Sequence, residues 1–237
     1  MNKSATTRFL ISCEHGGNRI PSRYRHLFRG CATLLHSHRG FDRGAMSMGR
    51  DLARMLAAPL FTATTSRLLI DLNRSIGHPH LYSEVTRGAP AVVRREILER
   101  HYLPYRGRVE AAIAEAIEQG GQVIHISSHS FTPVLDGEVR NADIGLLYDP
   151  SRQSEKEFCS RWKMNLETQA PDLVVRRNYP YTGKSDGFTV YLRRRFSAAV
   201  YTGVELEINQ KHFIKGGQQW RRVRSTVLEA LRNTLGQ

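Results

Sequence analysis

Val123-Ile124-His125-Ile126-Ser127-Ser128-His129-Ser130-Phe131-Thr132-Pro133 is the stretch whose reading decides the fold. Val123 to Ser128 reads as a strand, and strict alternation puts His125, Ser127 and His129 on one of its faces. Val92 to Ile117, just before it, reads as a long helical stretch interrupted near Pro104 and ended by Gly120-Gly121. Helix followed by apolar strand is the grammar of an α/β sheet, and it repeats in both directions. Phe9 to Cys13 and Ile144 to Tyr148 read as strands, Leu68 to Leu72 as a short one, and Ala198 to Ile208 as a β-rich run. Asp42 to Leu56 has Met46, Leu52, Met55 and Leu56 at helical spacing. Glu155 to Thr168 and Gln218 to Leu235 complete the helices. Strands alternating with helices predict a sheet covered on both faces. Sites in such sheets gather outside the carboxyl ends of strands.

Length fits this reading. The chain has 237 residues, which suits one α/β domain over 1–237, and its 40% hydrophobic content is ample for a core. No apolar run approaches the roughly 18 residues of a membrane span. The start MNKSATTRFLISCEH turns polar too soon for a secretory signal. Cys13, Cys31 and Cys159 show no CxxC spacing, so they read as reduced thiols in a cytoplasm. The formal charge of +13, with basic clusters at Arg193-Arg194-Arg195 and Arg221-Arg222 with Arg224, admits two readings. One is a basic nucleic-acid-binding protein, but no zinc-finger, RNA-recognition or basic-helix signature accompanies the charge. The other is attraction of a small anionic substrate.

Five polar clusters fall at the predicted strand ends and helix starts. Cys13-Glu14-His15-Gly16-Gly17 follows the first strand, and its glycines permit close backbone approach. In His38-Arg39-Gly40-Phe41-Asp42-Arg43-Gly44-Ala45, Asp42 stands where a helix begins, as a ligand or as a helix cap. Ser66 to Arg74 ends in Asn73-Arg74, where an arginine can grip a carboxylate or make a structural ion pair with Asp71. In the opening stretch His129 is the metal candidate, while a buried His125 reads as a core residue. In Gly203-Val204-Glu205-Leu206-Glu207-Ile208-Asn209-Gln210, Glu205 and Glu207 share a strand face. Paired like charges call for a cation or a raised pKa suited to general base work. Two histidines, an aspartate and a glutamate at separate strand ends match a catalytic zinc site with three protein ligands and one open position.

Taken in order, CEHGG, HRGFD-GA, SRLLIDLNR, SHSFTP, NYPYTGKSDGFT and GVELEINQ resemble the N-formylglutamate amidohydrolase family, from about Ser12 to Gln210. That family belongs to a wider group similar to zinc carboxypeptidases and aspartoacylase, which implies a mixed sheet flanked by helices on both faces. The resemblance implies zinc bound by His129, Glu207 as general base, and Asn73 with Arg74 on a substrate carboxylate. The wider group's first zinc motif is His-x-x-Glu, whereas His15 here is followed three places on by Asn18. The missing carboxylate ligand is assigned to Asp42, with Glu14 and His38 as alternatives, and Glu205 is the alternative base.

The expected activity is hydrolysis of the amide of an N-acyl amino acid, N-formyl-glutamate being what the resemblance implies. One zinc ion per chain would be held by His15, Asp42 and His129, and Arg67 and Lys184 are candidates for a second anionic group of the substrate. A metallocarboxypeptidase or another N-acyl amino acid deacylase is the alternative enzyme. The expected partner is a small anionic N-acyl amino acid, with neither membrane nor nucleic acid. Oligomeric state is left open.

Overall fold

The computed structural model describes residues 6–236. In chain order the elements are β1 (Thr6–Cys13), α1 (Ala32–Leu35), α2 (Ala45–Met55), β2 (Leu60–Thr62), α3 (Ala91–Ile97) and α4 (Leu103–Glu118). Then come β3 (Gly121–Phe131), the small hairpin β4 (Val134–Leu135) and β5 (Glu138–Val139), β6 (Ile144–Leu147) and α5 (Gln153–Gln169). The chain ends with β7 (Val175–Arg177), α6 (Phe188–Arg195), β8 (Tyr201–Asn209), α7 (Lys211–Ile214) and α8 (Gly217–Leu235).

Six strands form one sheet in the order β2-β1-β3-β8-β6-β7. All neighbours pair in parallel except β6, which runs antiparallel to β8, so the sheet is mixed. Central strands buried on both faces must be apolar on both, and β1 shows it: Ile11 packs with one core and Leu10 with the other. The first core joins Met48 and Leu52 of α2, Trp162 of α5 and Val227 of α8 to Ile126, Val204 and Leu206 of the sheet. The second joins Val109 and Ile113 of α4 and Phe188 of α6 to Val123 and Tyr201. Helices therefore cover both faces. From β1 the order runs to β2 on one side and to β3 and β8 on the other. That reversal opens a crevice beyond the carboxyl ends of β1 and β3.

Three sequence expectations change in detail. Leu68 to Leu72 is no strand but a run of turns, although Leu68, Leu69, Ile70 and Leu72 are all buried. Its backbone is satisfied locally and by neighbours: Leu69 N donates to Ser66 O, Asp71 N to Leu81 O, and the Ser83 and Thr86 hydroxyls to Leu68 O. An apolar run marks burial, and burial does not require pairing. The stretch from Val92 divides into α3, a π-helical turn at Leu98–Tyr102, and α4, which follow one another without a break; Pro104 comes directly after the π-helical turn, where Leu103 N donates to Leu98 O. β3 continues three residues past Ser128, so His129 lies inside the strand.

The basic clusters are largely consumed by ion pairs. Arg193 is buried with its guanidinium 3.0 Å from Glu155, while Arg195 pairs with Glu110, Arg222 with Asp172 and Arg224 with Asp51. Among the described residues no helix is long and apolar enough to cross a membrane.

Beside the sheet, Asp143 ties β6 to α7. It accepts from His212 Nε2 at 2.7 Å, Lys211 Nζ at 2.5 Å and Val174 N at 2.7 Å. Burial alone would raise its pKa, but these donors outweigh burial and hold it below the usual carboxylate range. A depressed folded-state pKa adds stability above the unfolded value near 3.9 and loses it as pH falls through the folded value. Asp143→Asn should therefore cost about 2–3 kcal/mol at pH 7, and its gap to wild type should narrow steadily below about pH 4 in urea titrations.

Candidate metal centre and substrate cleft

His15 leaves β1 through a turn that only glycine allows: a Cβ on Gly17 would sit 2.6 Å from the Thr64 carbonyl oxygen. The His15 carbonyl accepts from Asp42 N at 2.9 Å, which lashes the loop before α2 to the end of β1. Asp42 is not the helix cap, because Gly44, at φ +86°, occupies that position. Its side chain is released to face His129, which β3 delivers from the neighbouring strand. The Asp42 Oδ2 atom lies 2.9 Å from His129 Nδ1 and 3.5 Å from His15 Nδ1. One ligand atom from each of His15, Asp42 and His129 lies within 4.8 Å of the others, and all three residues are buried.

Both imidazoles are held from behind by carboxylates. His15 Nε2 is 2.7 Å from Asp71 Oδ1, which frees His15 Nδ1, a buried atom without a hydrogen-bond partner. His129 Nε2 meets Glu14 Oε2 at 3.1 Å and Ser127 Oγ at 2.9 Å. Glu14 also accepts from Ser127 Oγ at 2.5 Å and from Tyr105 Oη at 3.0 Å. Asp71 is itself gripped by Arg67, through Nη2 at 2.7 Å and Nε at 3.2 Å, and Arg67 reaches Asp42 Oδ1 at 3.4 Å. Burial opposes ionisation of Glu14, Asp42 and Asp71, yet the facing histidines and, at Asp71, Arg67 hold all three well below the ordinary carboxylate range. Burial would lower the pKa of His129, but Asp42 and Glu14 raise it well above the usual value. Two imidazole nitrogens and one carboxylate oxygen, each imidazole backed by an acid, form a donor set suited to a divalent metal. The orphaned His15 Nδ1 fits that use.

Register on the sheet places Glu207 opposite His129 and Glu205 opposite Ser127. Val204, Leu206 and Ile208 turn into the first core, so both glutamates share the face of the cluster. Their environments differ. Glu205 Oε1 accepts from Thr189 Oγ1 at 2.5 Å. Glu207 Oε2 is buried without a partner. Burial, with Asp42 and Glu205 adding to it against the pull of His129 and Arg67, raises the Glu207 pKa to about 8. A carboxyl group poised near neutrality is suited to exchanging protons.

A cleft of about 330 Å³ opens over this cluster, lined among others by His15, Asp42, His129, Glu207, Asn73 and Arg74. A family model for N-formylglutamate amidohydrolase matches residues 7–214, which include every residue of this cluster. The chain belongs to that family. The N-formylglutamate amidohydrolase family comprises hydrolases that act on amides. A gene product of Agrobacterium tumefaciens of known crystal structure is similar at 29% identity and a TM-score of 0.83, over 98% of this chain and 92% of that one. An N-formylglutamate amidohydrolase from Ralstonia eutropha shares the fold, with a TM-score of 0.71 at 16% identity over 99% of this chain and 95% of that one. No curated protein matches the chain by sequence.

Of the residues singled out in the sequence, His15, Asp42, His129, Glu207, Glu205, Asn73, Arg74, Arg67 and His38 all line the cleft. Glu14, the alternative to Asp42, lies fully buried behind His129 and outside the group formed by His15, Asp42 and His129. His38 lies outside the ligand cluster, and burial together with Arg39, Arg67 and Arg140 lowers its pKa. Lys184 is exposed and does not line the cleft, because the loop carrying Tyr181, Thr182 and Ser185 turns its side chain elsewhere. Asn73 Oδ1 accepts from Phe188 N at 2.6 Å and so fixes the start of α6. Arg74 Nη1 donates to the Asp186 carbonyl at 2.7 Å, and among the described residues it makes no ion pair with Asp71 or any other acid. His125 is a satisfied core residue, between Ser12 Oγ at 2.7 Å and Tyr201 Oη at 2.8 Å, with burial lowering its pKa to about 4. Sequence reading passed over Asp71 as an orienting group. Its signal is a lone acid inside the apolar run Leu68 to Leu72, a charge that cannot be buried without a partner.

Asp71 accepts from His15, twice from Arg67, and from Asn73 N at 2.9 Å. Asp71→Ala leaves the Arg67 guanidinium without its main counter-ion, and urea denaturation should show a loss of about 3–5 kcal/mol.

Proposed function

We propose that the chain hydrolyses the amide of an N-acyl acidic amino acid, N-formyl-L-glutamate being the foremost candidate, with one zinc ion held by His15, Asp42 and His129. The observation that carries this reading is the convergence of those three donors in the same cleft as Glu207, a buried carboxyl group with a free oxygen. A zinc ion held there would supply Lewis-acid chemistry, offsetting negative charge at the amide carbonyl and lowering the pKa of water. Glu207 Oε2 takes the proton of that water and passes it to the leaving amine nitrogen as the C–N bond breaks, giving formate and the free amino acid. Arg74, with the Asn73 amide, holds the α-carboxylate. Arg67 keeps Asp71 ionised, and Asp71 keeps the His15 ring turned so that Nδ1 is offered. Acetyl and peptide substrates separate this reading from other deacylases and from carboxypeptidases, since each predicts a different preferred acyl group. Three unpaired cysteines, two of them buried, support the cytoplasm as its location.

Elemental analysis should find about one zinc per chain, and His129→Ala should lose most of it. Glu207→Gln keeps the shape and removes the proton acceptor, so zinc should stay while kcat falls about 10²-fold or more. A large effect in Glu205→Gln with little in Glu207→Gln would overturn the choice of base.

Arg74→Lys keeps the charge but loses the planar fork that meets both carboxylate oxygens. A charge-assisted hydrogen bond contributes about 1.5–3 kcal/mol, so kcat/KM on the free acid should fall about tenfold or more. The α-amide of the same substrate should lose little. A mutant that prefers the free acid as strongly as wild type removes Arg74 from this role.

A further inference from the structure

The cleft does not end at Arg74. Beyond it lies a second compartment of about 720 Å³, roughly twice the volume of the 330 Å³ catalytic cleft, and the two share His38, Arg67, Arg74 and Leu135 as a common wall. The catalytic cleft alone is at the low end of the roughly 300–1,000 Å³ of small-ligand sites, enough for the scissile amide and one amino acid. The larger compartment is therefore spare room that opens directly from the residue proposed to hold the α-carboxylate.

Its charge is lopsided. Four arginines line it, Arg39, Arg67, Arg74 and Arg87, against two acids, Asp71 and Glu84. Arg67 is neutralised by Asp71 at 2.7 Å and Arg39 by Glu84 at 2.5 Å. Arg74 gives one hydrogen bond to a carbonyl, and the Arg87 guanidinium makes no ion pair or hydrogen bond among the described residues. His80, on the same wall, leaves its ring nitrogens without hydrogen-bond partners among the described residues. Arg74 shares its charge with the nearby Asp186 carboxylate, so the Arg87 guanidinium is the uncompensated one, and in a concave space it attracts anions more strongly than on a flat surface.

We propose that this compartment is a second anion subsite, with Arg87 and His80 as its recognition groups. The substrate class it selects is an N-acyl acidic amino acid whose side chain is extended by a further acidic residue. With the α-carboxylate at Arg74, only the side chain is left to enter the larger compartment, so the extra anion must hang from that side chain. This assignment rests on the proposed function for the amide and for the α-carboxylate at Arg74, and the test keeps binding and hydrolysis apart.

Calorimetry on the zinc-loaded protein would compare glutamate with γ-linked triglutamate, neither of which has an acyl group to lose. Wild type should bind the triglutamate about tenfold or more tightly than glutamate, with the gap shrinking at high salt. Arg87→Glu, an exposed position where refolding is not at stake, should abolish the gap, and His80→Ala should reduce it. In parallel, the ratio of kcat/KM for N-formyl-γ-glutamyl-glutamate over N-formylglutamate should fall by a similar factor in Arg87→Glu. Equal binding of the two ligands by wild type, or a gap that survives Arg87→Glu, overturns the subsite. Failure to hydrolyse any N-formyl substrate, with the binding gap present, overturns the reaction instead and leaves the subsite standing.

Discussion

Ionised carboxylates buried beside a sheet must be answered by cations, and this single electrostatic demand organises the molecule. Glu14, Asp42 and Asp71 are all buried, and each is ionised in spite of its burial. Uncompensated, each would cost several kcal/mol. His129 answers two of them, and His15 with Arg67 answers the third. The same contacts fix the imidazole rings, so what keeps the fold from rejecting the charges also aims two nitrogens at Asp42. Glu207 is the exception, an acid left with a bare oxygen, and its raised pKa is the electrostatic consequence.

Sheet topology supplies the convergence. β1 and β3 are parallel neighbours, so the loop after β1 and the far end of β3 open on the same edge, and β8 brings Glu207 level with His129. Alternation then sorts chemistry from packing: Leu206 and Ile208 fill a core while Glu205 and Glu207 face the cleft. Around His15 and Asp42 the backbone depends on two glycines, Gly17 packed against Thr64 and Gly44 at φ +86°. Strand registry does the positioning that long loops would do less rigidly.

The strong positive charge of the chain divides by location. Much of it lies in ion pairs that hold helices to one another, as Arg193 of α6 does with Glu155 of α5 and Arg224 of α8 with Asp51 of α2. Beside the cleft, Arg74 and Arg87 make no ion pair among the described residues. A net charge counted over the whole sequence cannot distinguish these two populations.

Local periodicity was enough for the sequence by itself to determine the alternation of strands and helices, the double-sided burial of the sheet and the shared face of Glu205 and Glu207. These depend on spacings of two and of three to four residues, which a linear chain displays. Its motifs also placed His15, Asp42, His129 and Arg74 among the candidates. Only the tertiary structure decided that Asp42, and not Glu14 or His38, shares the cluster, because Asp42 and His129 are 87 residues apart and meet through packing. It alone showed Asp71, 56 residues from His15, to be that residue's brace, turned Leu68 to Leu72 from a strand into buried turns, and excluded Lys184 from the cleft. Those outcomes depend on which faces the helices cover and where loops close, quantities set by the summed packing of two cores and not by any neighbouring residues in the chain.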